Sequence, residues 1–378
     1  MIYSRLKRTT ILTISAALLL LLPFSSLSAI PPANAQPKAT ADRAEDWFMY
    51  PSLQEILSNQ PANITEEEMS LNEWRAFTEQ NMKSLSNLAK EVLGNSPEMA
   101  SIKDYNITGL DGNEIHLRVY DPGVVEMPSP VLVYASGGGF VLGSVDVFDD
   151  SIRRIANSSG LVVAAMDYRL APEHPFPAGL NDVVSTVRWI VEHAQEIGVD
   201  SDRIALGGHS SGASLALATA LILRDSDRAS DKEDLIDTLF LVAGGYSPDA
   251  PNSESMQMFG QNQSQFGVTL EPERILNWTF QNASDYNNPL AFPLLAENLT
   301  GLPPVYIAAM ALDPLKSDSI QLADRLREEG QEHYLTIWPG VTHPAIAFIP
   351  IMPEIQEYLE AMTVYLRGVL LVPMSNSN

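Results

Sequence analysis

Gly208-His209-Ser210-Ser211-Gly212 lies between a short apolar run, Ile204-Ala205-Leu206, and a run of small, helix-compatible residues from Ala213 to Ala220. The order reads as strand, sharp turn, helix, with a Gly-x-Ser-x-Gly at the turn. Such a turn forces its central serine into a strained backbone conformation and lifts the hydroxyl above the sheet edge. The glycines two residues to either side are required, because a Cβ there would collide with the turn or with the neighbouring strand. Alone, the pattern is weak and also fits a glycine-rich helix entry. The reading of Ser210 as a nucleophile therefore depends on its partners.

A serine hydroxyl is a poor nucleophile near neutral pH. It needs a base, and the base needs an orienting acid. In strand-turn-helix hydrolases the chain order is serine, acid, histidine. Six histidines are available. His116, in an alternating strand, His174, in a proline-bounded loop, and His193, in a helical stretch, all precede the serine. His209 adjoins Ser210, so its side chain should project elsewhere. His333 opens the run His333-Tyr334-Leu335-Thr336-Ile337-Trp338 and reads as an edge or surface residue. His343 follows that strand in the loop Pro339-Gly340-Val341-Thr342-His343-Pro344, where bases are usually carried, and is the natural candidate. The acid is Asp313, at the end of the apolar run Val305 to Leu312. Its competitor, Asp318, falls within the next helix and is expected to face solvent or to support that helix's first turn.

A third element follows the buried run Val131-Leu132-Val133-Tyr134-Ala135. The glycines of Ser136-Gly137-Gly138-Gly139-Phe140 let backbone N–H groups approach a ligand closely and stabilise a developing oxyanion.

These stretches together resemble the bacterial branch of the hormone-sensitive lipase family of α/β-hydrolase esterases. Tyr134 to Ser144 resembles that family's His-Gly-Gly-Gly loop, and Asp167-Tyr168-Arg169-Leu170-Ala171-Pro172-Glu173-His174-Pro175-Phe176-Pro177-Ala178 a long signature after the next strand. The serine turn resembles Gly-Asp-Ser-Ala-Gly, and Leu312-Asp313-Pro314-Leu315 with the His343 loop resembles the acid and base motifs. The resemblance spans residues 100–370. It implies Ser210, Asp313 and His343 as a catalytic triad, the N–H groups of Gly138, Gly139 and Ser211 as oxyanion donors, and neither a metal nor an organic cofactor. The chain departs from the pattern in places. Ser136 stands where the family has histidine, His209 where it has aspartate, and Ser211 where it has alanine. Pro344 replaces a glycine, and Lys316-Ser317-Asp318 an arginine-acid-acid run. Ser136 is shorter than histidine and could replace only part of its bracing of the glycine loop, through a local backbone hydrogen bond.

Working outward, 378 residues of which 45% are hydrophobic suffice for one large core. Strand-like runs at 131–135, 161–167, 203–208, 235–243, 304–311 and 333–338 alternate with helix-like runs at 146–158, 179–195, 213–223, 316–329 and 353–369. This alternation predicts an α/β fold, a mainly parallel central sheet with helices on both faces. Residues 101–106 and 114–120 flank Gly109-Leu110-Asp111-Gly112 as an antiparallel hairpin at the sheet edge. The catalytic domain is thus placed at 101–372 and an N-terminal helical cap at 36–100, with a helix begun by Ser70 that carries Trp74 and Phe77. Met256, Met258 and Phe259, with the helix around Trp278, are candidate pocket walls. The polar stretch 224–234 reads as a solvated loop.

Residues 1–35 read as a signal peptide. Arg5, Lys7 and Arg8 precede the apolar run Ile11 to Phe24, and Ala33-Asn34-Ala35 offers a cleavage site, so the expected location is secreted or periplasmic. A retained anchor is the competing reading, against which Pro23 and the serines argue; the mature chain is expected to have no stable membrane span. With no cysteine, neither a lipoprotein anchor nor a disulfide framework is available. A net charge of −24 argues against nucleic acid and anionic membranes as partners. The expected partner is a small-molecule ester, and the expected activity a serine carboxylesterase acting on short acyl esters. An amidase or formamidase using the same site, and a non-catalytic receptor on the same fold, are the alternatives.

Overall fold

The computed structural model describes residues 49–50, 70–229, 235–260, 272–343 and 353–371. The expected signal peptide and most of the cap segment before Ser70 lie outside the described residues. Eight strands form one sheet: β1 (Ser101–Thr108), β2 (Glu114–Asp121), β3 (Ser129–Ala135), β4 (Val162–Asp167), β5 (Val199–His209), β6 (Thr238–Val242), β7 (Val305–Met310) and β8 (His333–Trp338). Their order is β1-β2-β4-β3-β5-β6-β7-β8. The pairs β1–β2 and β2–β4 are antiparallel, and all other neighbours are parallel. The expected hairpin is the β1–β2 pair, with Thr108 opposite Glu114, and β1 is an edge.

The nine α-helices among the described residues are α1 (Leu71–Leu93), α2 (Asp149–Ser159), α3 (Ala178–Glu192), α4 (Ala194–Ile197), α5 (Ser211–Ala229), α6 (Glu254–Phe259), α7 (Pro272–Thr279), α8 (Lys316–Glu328) and α9 (Pro353–Leu370). Two-residue alternation along the strands divides the core into two layers. In β3, Val131, Val133 and Ala135 join the layer that holds Val183 and Val187 of α3, Leu217 and Leu221 of α5, and Leu322 of α8. Leu132 and Tyr134 join the opposite layer, with Ile152 and Ile155 of α2 and Ile355, Leu359 and Met362 of α9. Because helices cover both faces, every residue of β3 is buried, and the strand reads as a continuous apolar run rather than an alternating one.

Several element boundaries shift by a few residues from expectation, and the largest shift is at the end of α5. Helix α5 runs through Ala229, so the first half of the stretch 224–234 is helical; residues 230–234 lie outside the described residues. Arg224 is buried, since its Nη1 donates to the carbonyl oxygens of Asn298 and Thr300 at 3.2 Å each. A charged residue near a helix end can be held inside by orphan carbonyls from a distant turn, and no local pattern reveals that.

Helix α1 begins at Ser70 as expected. Ser70 forms a capping box with Glu73, which satisfies two of the otherwise orphaned donors. Trp74 is buried against Val141, Leu142 and Ala171, with Ile275 and Trp278 beside them. Arg75 donates from Nε to Val141 O (2.9 Å) and from Nη2 to Ala171 O (3.0 Å), and pairs with Glu173 at 2.7 Å. No helix among the described residues is long and apolar enough to cross a membrane.

The strand order reverses at β3, whose neighbours are β4 and β5. The loops leaving β3 and β5 therefore diverge to opposite faces, and a crevice opens at the C-terminal ends of these two strands. Open α/β sheets bind ligands at such a point.

Candidate active site

Ser210 sits one residue beyond the end of β5, and Ser211 begins α5. The φ of Ser210 is +53°, in the left-handed region. This conformation costs on the order of 1–3 kcal/mol and persists only where its surroundings enforce it. Here Ser210 N–H donates to Val242 O at 2.8 Å, and a Cβ on Gly208 or Gly212 would overlap the carbonyl oxygen of Ala135. The glycine spacing is thus set by the close approach of β3 to the turn.

Asp313 and His343 come from the loops after β7 and β8, at the same sheet edge. His343 Nε2 is 2.9 Å from Ser210 Oγ, and His343 Nδ1 is 2.9 Å from Asp313 Oδ2. An ionised carboxylate only accepts hydrogen bonds. Nδ1 therefore carries the ring proton and Nε2 is left to accept from the serine hydroxyl. Asp313 is fully buried, and its Oδ1 accepts the Leu315 N–H at 2.7 Å. The structure thus brings together the three residues selected from the sequence.

The glycine loop after β3 is pinned at several points. Gly138 O accepts from Val141 N–H (3.1 Å) and Leu142 N–H (2.9 Å), and Ser136 O accepts from the Tyr168 hydroxyl (2.8 Å). The φ of Gly138 is +137°, and a Cβ on it would overlap the Leu142 carbonyl. The N–H groups of Gly138 and Gly139 have no acceptor among the described residues. Ser211 N–H opens a 19-residue helix; the first N–H groups of a helix are orphan donors at the positive end of its dipole. The bracing expected of the Ser136 hydroxyl is absent, because Ser136 Oγ is buried without a hydrogen-bond partner.

His209 does point away from Ser210, into the glycine loop. Its ring is 3% exposed. Nδ1 lies 2.8 Å from the Tyr134 hydroxyl, and Gly137 N–H is 3.1 Å from Nε2 and 3.3 Å from Nδ1. Phe148 packs edge-on against the ring at 4.9 Å. Burial, and secondarily the charge of His343, hold the His209 ring well below the usual histidine range, at about 3, so it stays neutral at ordinary pH. The remaining histidines lie elsewhere. His116 bridges Asp167 and Asp104, and His333, on the edge strand β8, contacts Gln331 O.

Asp318 lies in the first turn of α8 but does not face solvent. It is 1% exposed, and its Oδ2 accepts from Tyr246 N–H (2.6 Å) and Ser247 N–H (2.9 Å). Two backbone donors beyond β6 need an acceptor, and the buried face of α8 supplies it. Burial pushes this carboxyl up to about 6, against the effect of the two N–H groups and helped by Asp313 and Asp249.

Ser210 and His343 open into a cavity of about 250 Å³. Its walls include Met82 of α1, Met256 of α6, Ile275 and Leu276 of α7, and Phe280 and Phe292. Of the expected walls, Met256 is present and the helix around Trp278 contributes through Ile275 and Leu276. Met258, Phe259 and Trp278 themselves do not line the cavity. Among the described residues no Lys, Arg or Glu lines it, and the one acidic residue is Asp313. Phe280 and Phe292 were not legible as pocket residues, because their aromatic cluster with Phe140, Phe176 and Tyr286 is built from three separate segments. Among the described residues no group of three or more His, Asp and Glu side chains is placed to hold a metal ion.

Residues 132–347 match the family described as alpha/beta hydrolase fold. The chain is 31% identical over 278 residues to esterase LipI of Mycobacterium tuberculosis, covering 72% of this chain and 83% of that protein. It is 30% identical over 274 residues to the ethyl acetate hydrolase of Pseudomonas putida, covering 71% and 83%. Among solved structures, the esterase of Pyrobaculum calidifontis superposes with a TM-score of 0.76 at 29% identity, covering 86% of this chain and all of that one. The sheet order, the strained serine turn and these likenesses agree, and the chain belongs to the α/β-hydrolase fold family, in its hormone-sensitive lipase-like esterase branch.

Proposed function

We propose that the protein is a serine carboxylesterase that cleaves short, uncharged acyl esters through an acyl-enzyme. The observation that carries this reading is the continuous relay Ser210–His343–Asp313, with both hydrogen bonds at 2.9 Å, beside the N–H groups of Gly138, Gly139 and Ser211. Ser210 Oγ attacks the ester carbonyl as His343 Nε2 takes its proton. Gly138, Gly139 and Ser211 donate to the oxyanion of the tetrahedral intermediate. His343 then protonates the leaving alcohol, a water repeats the sequence on the acyl-enzyme, and Asp313 holds the ring's tautomer and stabilises the imidazolium.

The cavity supports the substrate class. An apolar cavity of about 150 Å³ accepts a benzene ring, so 250 Å³ holds a short acyl group with a small alcohol. Among the described residues its walls carry no Lys, Arg or Glu to pair with a charged substrate, and a buried unpaired charge is costly. The relatives' names, an ethyl acetate hydrolase among them, point the same way.

The test is turnover of p-nitrophenyl esters of increasing acyl length beside aryl amides. Short esters should be preferred, and Ser210→Ala should lower kcat by roughly three orders of magnitude or more. A fluorophosphonate should label Ser210 alone. Faster amide than ester turnover would favour the amidase reading, and binding without turnover a receptor. We infer also that residues 1–35 direct export, on the strength of the Arg5-Lys7-Arg8 start and the Ala33-Asn34-Ala35 site. The exported protein should begin at Gln36 on N-terminal sequencing.

A further inference from the structure

We propose that His209 is a positioning residue for the oxyanion loop, its Nε2 holding the Gly137 N–H so that the next two N–H groups point at the reacting carbonyl. The inference rests on the esterase reading above.

β3 and β5 are parallel neighbours, with Ala135 opposite Gly208. Positions 136 and 209 are the next residues on each strand, side by side where both leave the sheet. The two departures noted in the sequence, serine at 136 and histidine at 209, are therefore spatially adjacent. Together they amount to one exchange: the imidazole is supplied from the serine turn rather than from the glycine loop.

The local bonding agrees. Ser136 Oγ has no partner, so this side chain does not hold the loop. The His209 ring approaches Gly137 so closely that a Cβ there would lie 2.7 Å from Cδ2 and 2.8 Å from Nε2. A neutral imidazole has one donor and one acceptor nitrogen. If Nε2 accepts the Gly137 N–H, Nδ1 must carry the proton and donate to the Tyr134 oxygen. Gly137 N–H lies 3.1 Å from Nε2 and 3.3 Å from Nδ1, so the nearer nitrogen is assigned as its acceptor and the hydroxyl of Tyr134 faces Nδ1. Tyr134 and Phe148 hold the ring in place.

The consequence is directional. Gly137 N–H is occupied by His209 and takes no part in binding the oxyanion. Fixing that peptide, with Gly138 O held by Val141 and Leu142 N–H, fixes the orientation of the Gly138 and Gly139 N–H groups. Donors aimed in advance contribute mainly to the transition state, where the negative charge develops.

The test compares His209→Phe, which keeps an aromatic ring but has no acceptor, with His209→Gln, whose amide oxygen can reach the Nε2 position. Substrate is p-nitrophenyl acetate, and the probe for the oxyanion site is a trifluoromethyl ketone, which adds to the serine and forms an oxyanion. His209→Phe should lower kcat about 10- to 100-fold and weaken the ketone by the same factor, with KM changed less than about threefold. His209→Gln should stay within about fivefold of the native kcat. Tyr134→Phe, which removes the hydroxyl that holds Nδ1 and so loosens the ring, should lower kcat about threefold to tenfold, and it decides the matter if His209→Phe does not fold. Native kcat in His209→Phe or in Tyr134→Phe overturns the proposal, as does equal damage from Phe and Gln or unchanged ketone affinity. Failure of the esterase reading is separate: the native chain itself would not turn over the ester.

Discussion

Replacing Asp318 with asparagine should change how stability depends on pH. The carboxyl is 1% exposed, and its pKa is raised from an ordinary 3.8 to about 6 by burial, despite the two N–H groups it accepts. A folded-state pKa above the unfolded one means that the native state keeps its proton longer. Between about pH 4 and pH 6 unfolding therefore releases a proton, and native stability falls as pH rises. The rise of about two units, at about 1.4 kcal/mol each, gives a cost of about 3 kcal/mol when the group is fully ionised. About 2 kcal/mol of that should develop between pH 4.5 and pH 7.5. Asp318→Asn retains an oxygen for Tyr246 and Ser247 N–H but cannot ionise, so this slope disappears. Its absolute stability also depends on the new amide N–H groups beside the unpartnered Oδ1 position; the decisive quantity is the difference between the two chains at each pH. Urea unfolding followed by tryptophan fluorescence at pH 4.5, 5.5, 6.5 and 7.5 measures it. The variant should gain about 2 kcal/mol on the native chain across that range. Parallel curves, with a constant difference, would refute the reasoning.

Ser136→Ala should leave kcat/KM within about twofold, because the hydroxyl it removes has no partner; a loss above tenfold would give that hydroxyl a role the geometry lacks. Gly138→Val should lower kcat/KM on the same short ester by about 100-fold or more, since its side chain displaces the loop from the Leu142 carbonyl and misaligns donors worth about 3 kcal/mol each. Phe280→Ala should cost about 3–5 kcal/mol in thermal or urea unfolding and shift the preferred acyl chain upward by opening the cavity wall. An unchanged chain-length profile in that variant would show that Phe280 does not bound the acyl site.

Much of the site was legible because its parts are local patterns. The strand-turn-helix around Ser210 is written in the seventeen consecutive residues from Ile204 to Ala220, and Asp313 and His343 each follow an apolar strand in the required order. The sheet was legible for the same reason: strands buried on both faces form unbroken apolar runs such as Val131 to Ala135. What escaped was set by contacts between distant segments. Asp318 is buried because two N–H groups more than 70 residues away need an acceptor. Arg224 is buried because carbonyls at 298 and 300 need a donor. The place of His209 was missed since it depends on the strand register that sets 209 beside 136. Each of these is a polar group satisfying a remote backbone, which no periodicity encodes.

The relay from Ser210 to His343 joins residues 133 apart in sequence and crosses the sheet from β5 to β8. Their 2.9 Å contact exists only when β6, β7 and β8 have all added in register. Misalignment by one residue would turn every strand side chain to the wrong face and carry His343 out of reach. Turnover is therefore a readout of completed assembly. In refolding from denaturant, secondary structure should return ahead of esterase activity, and active-site labelling should count correctly finished molecules rather than merely collapsed ones.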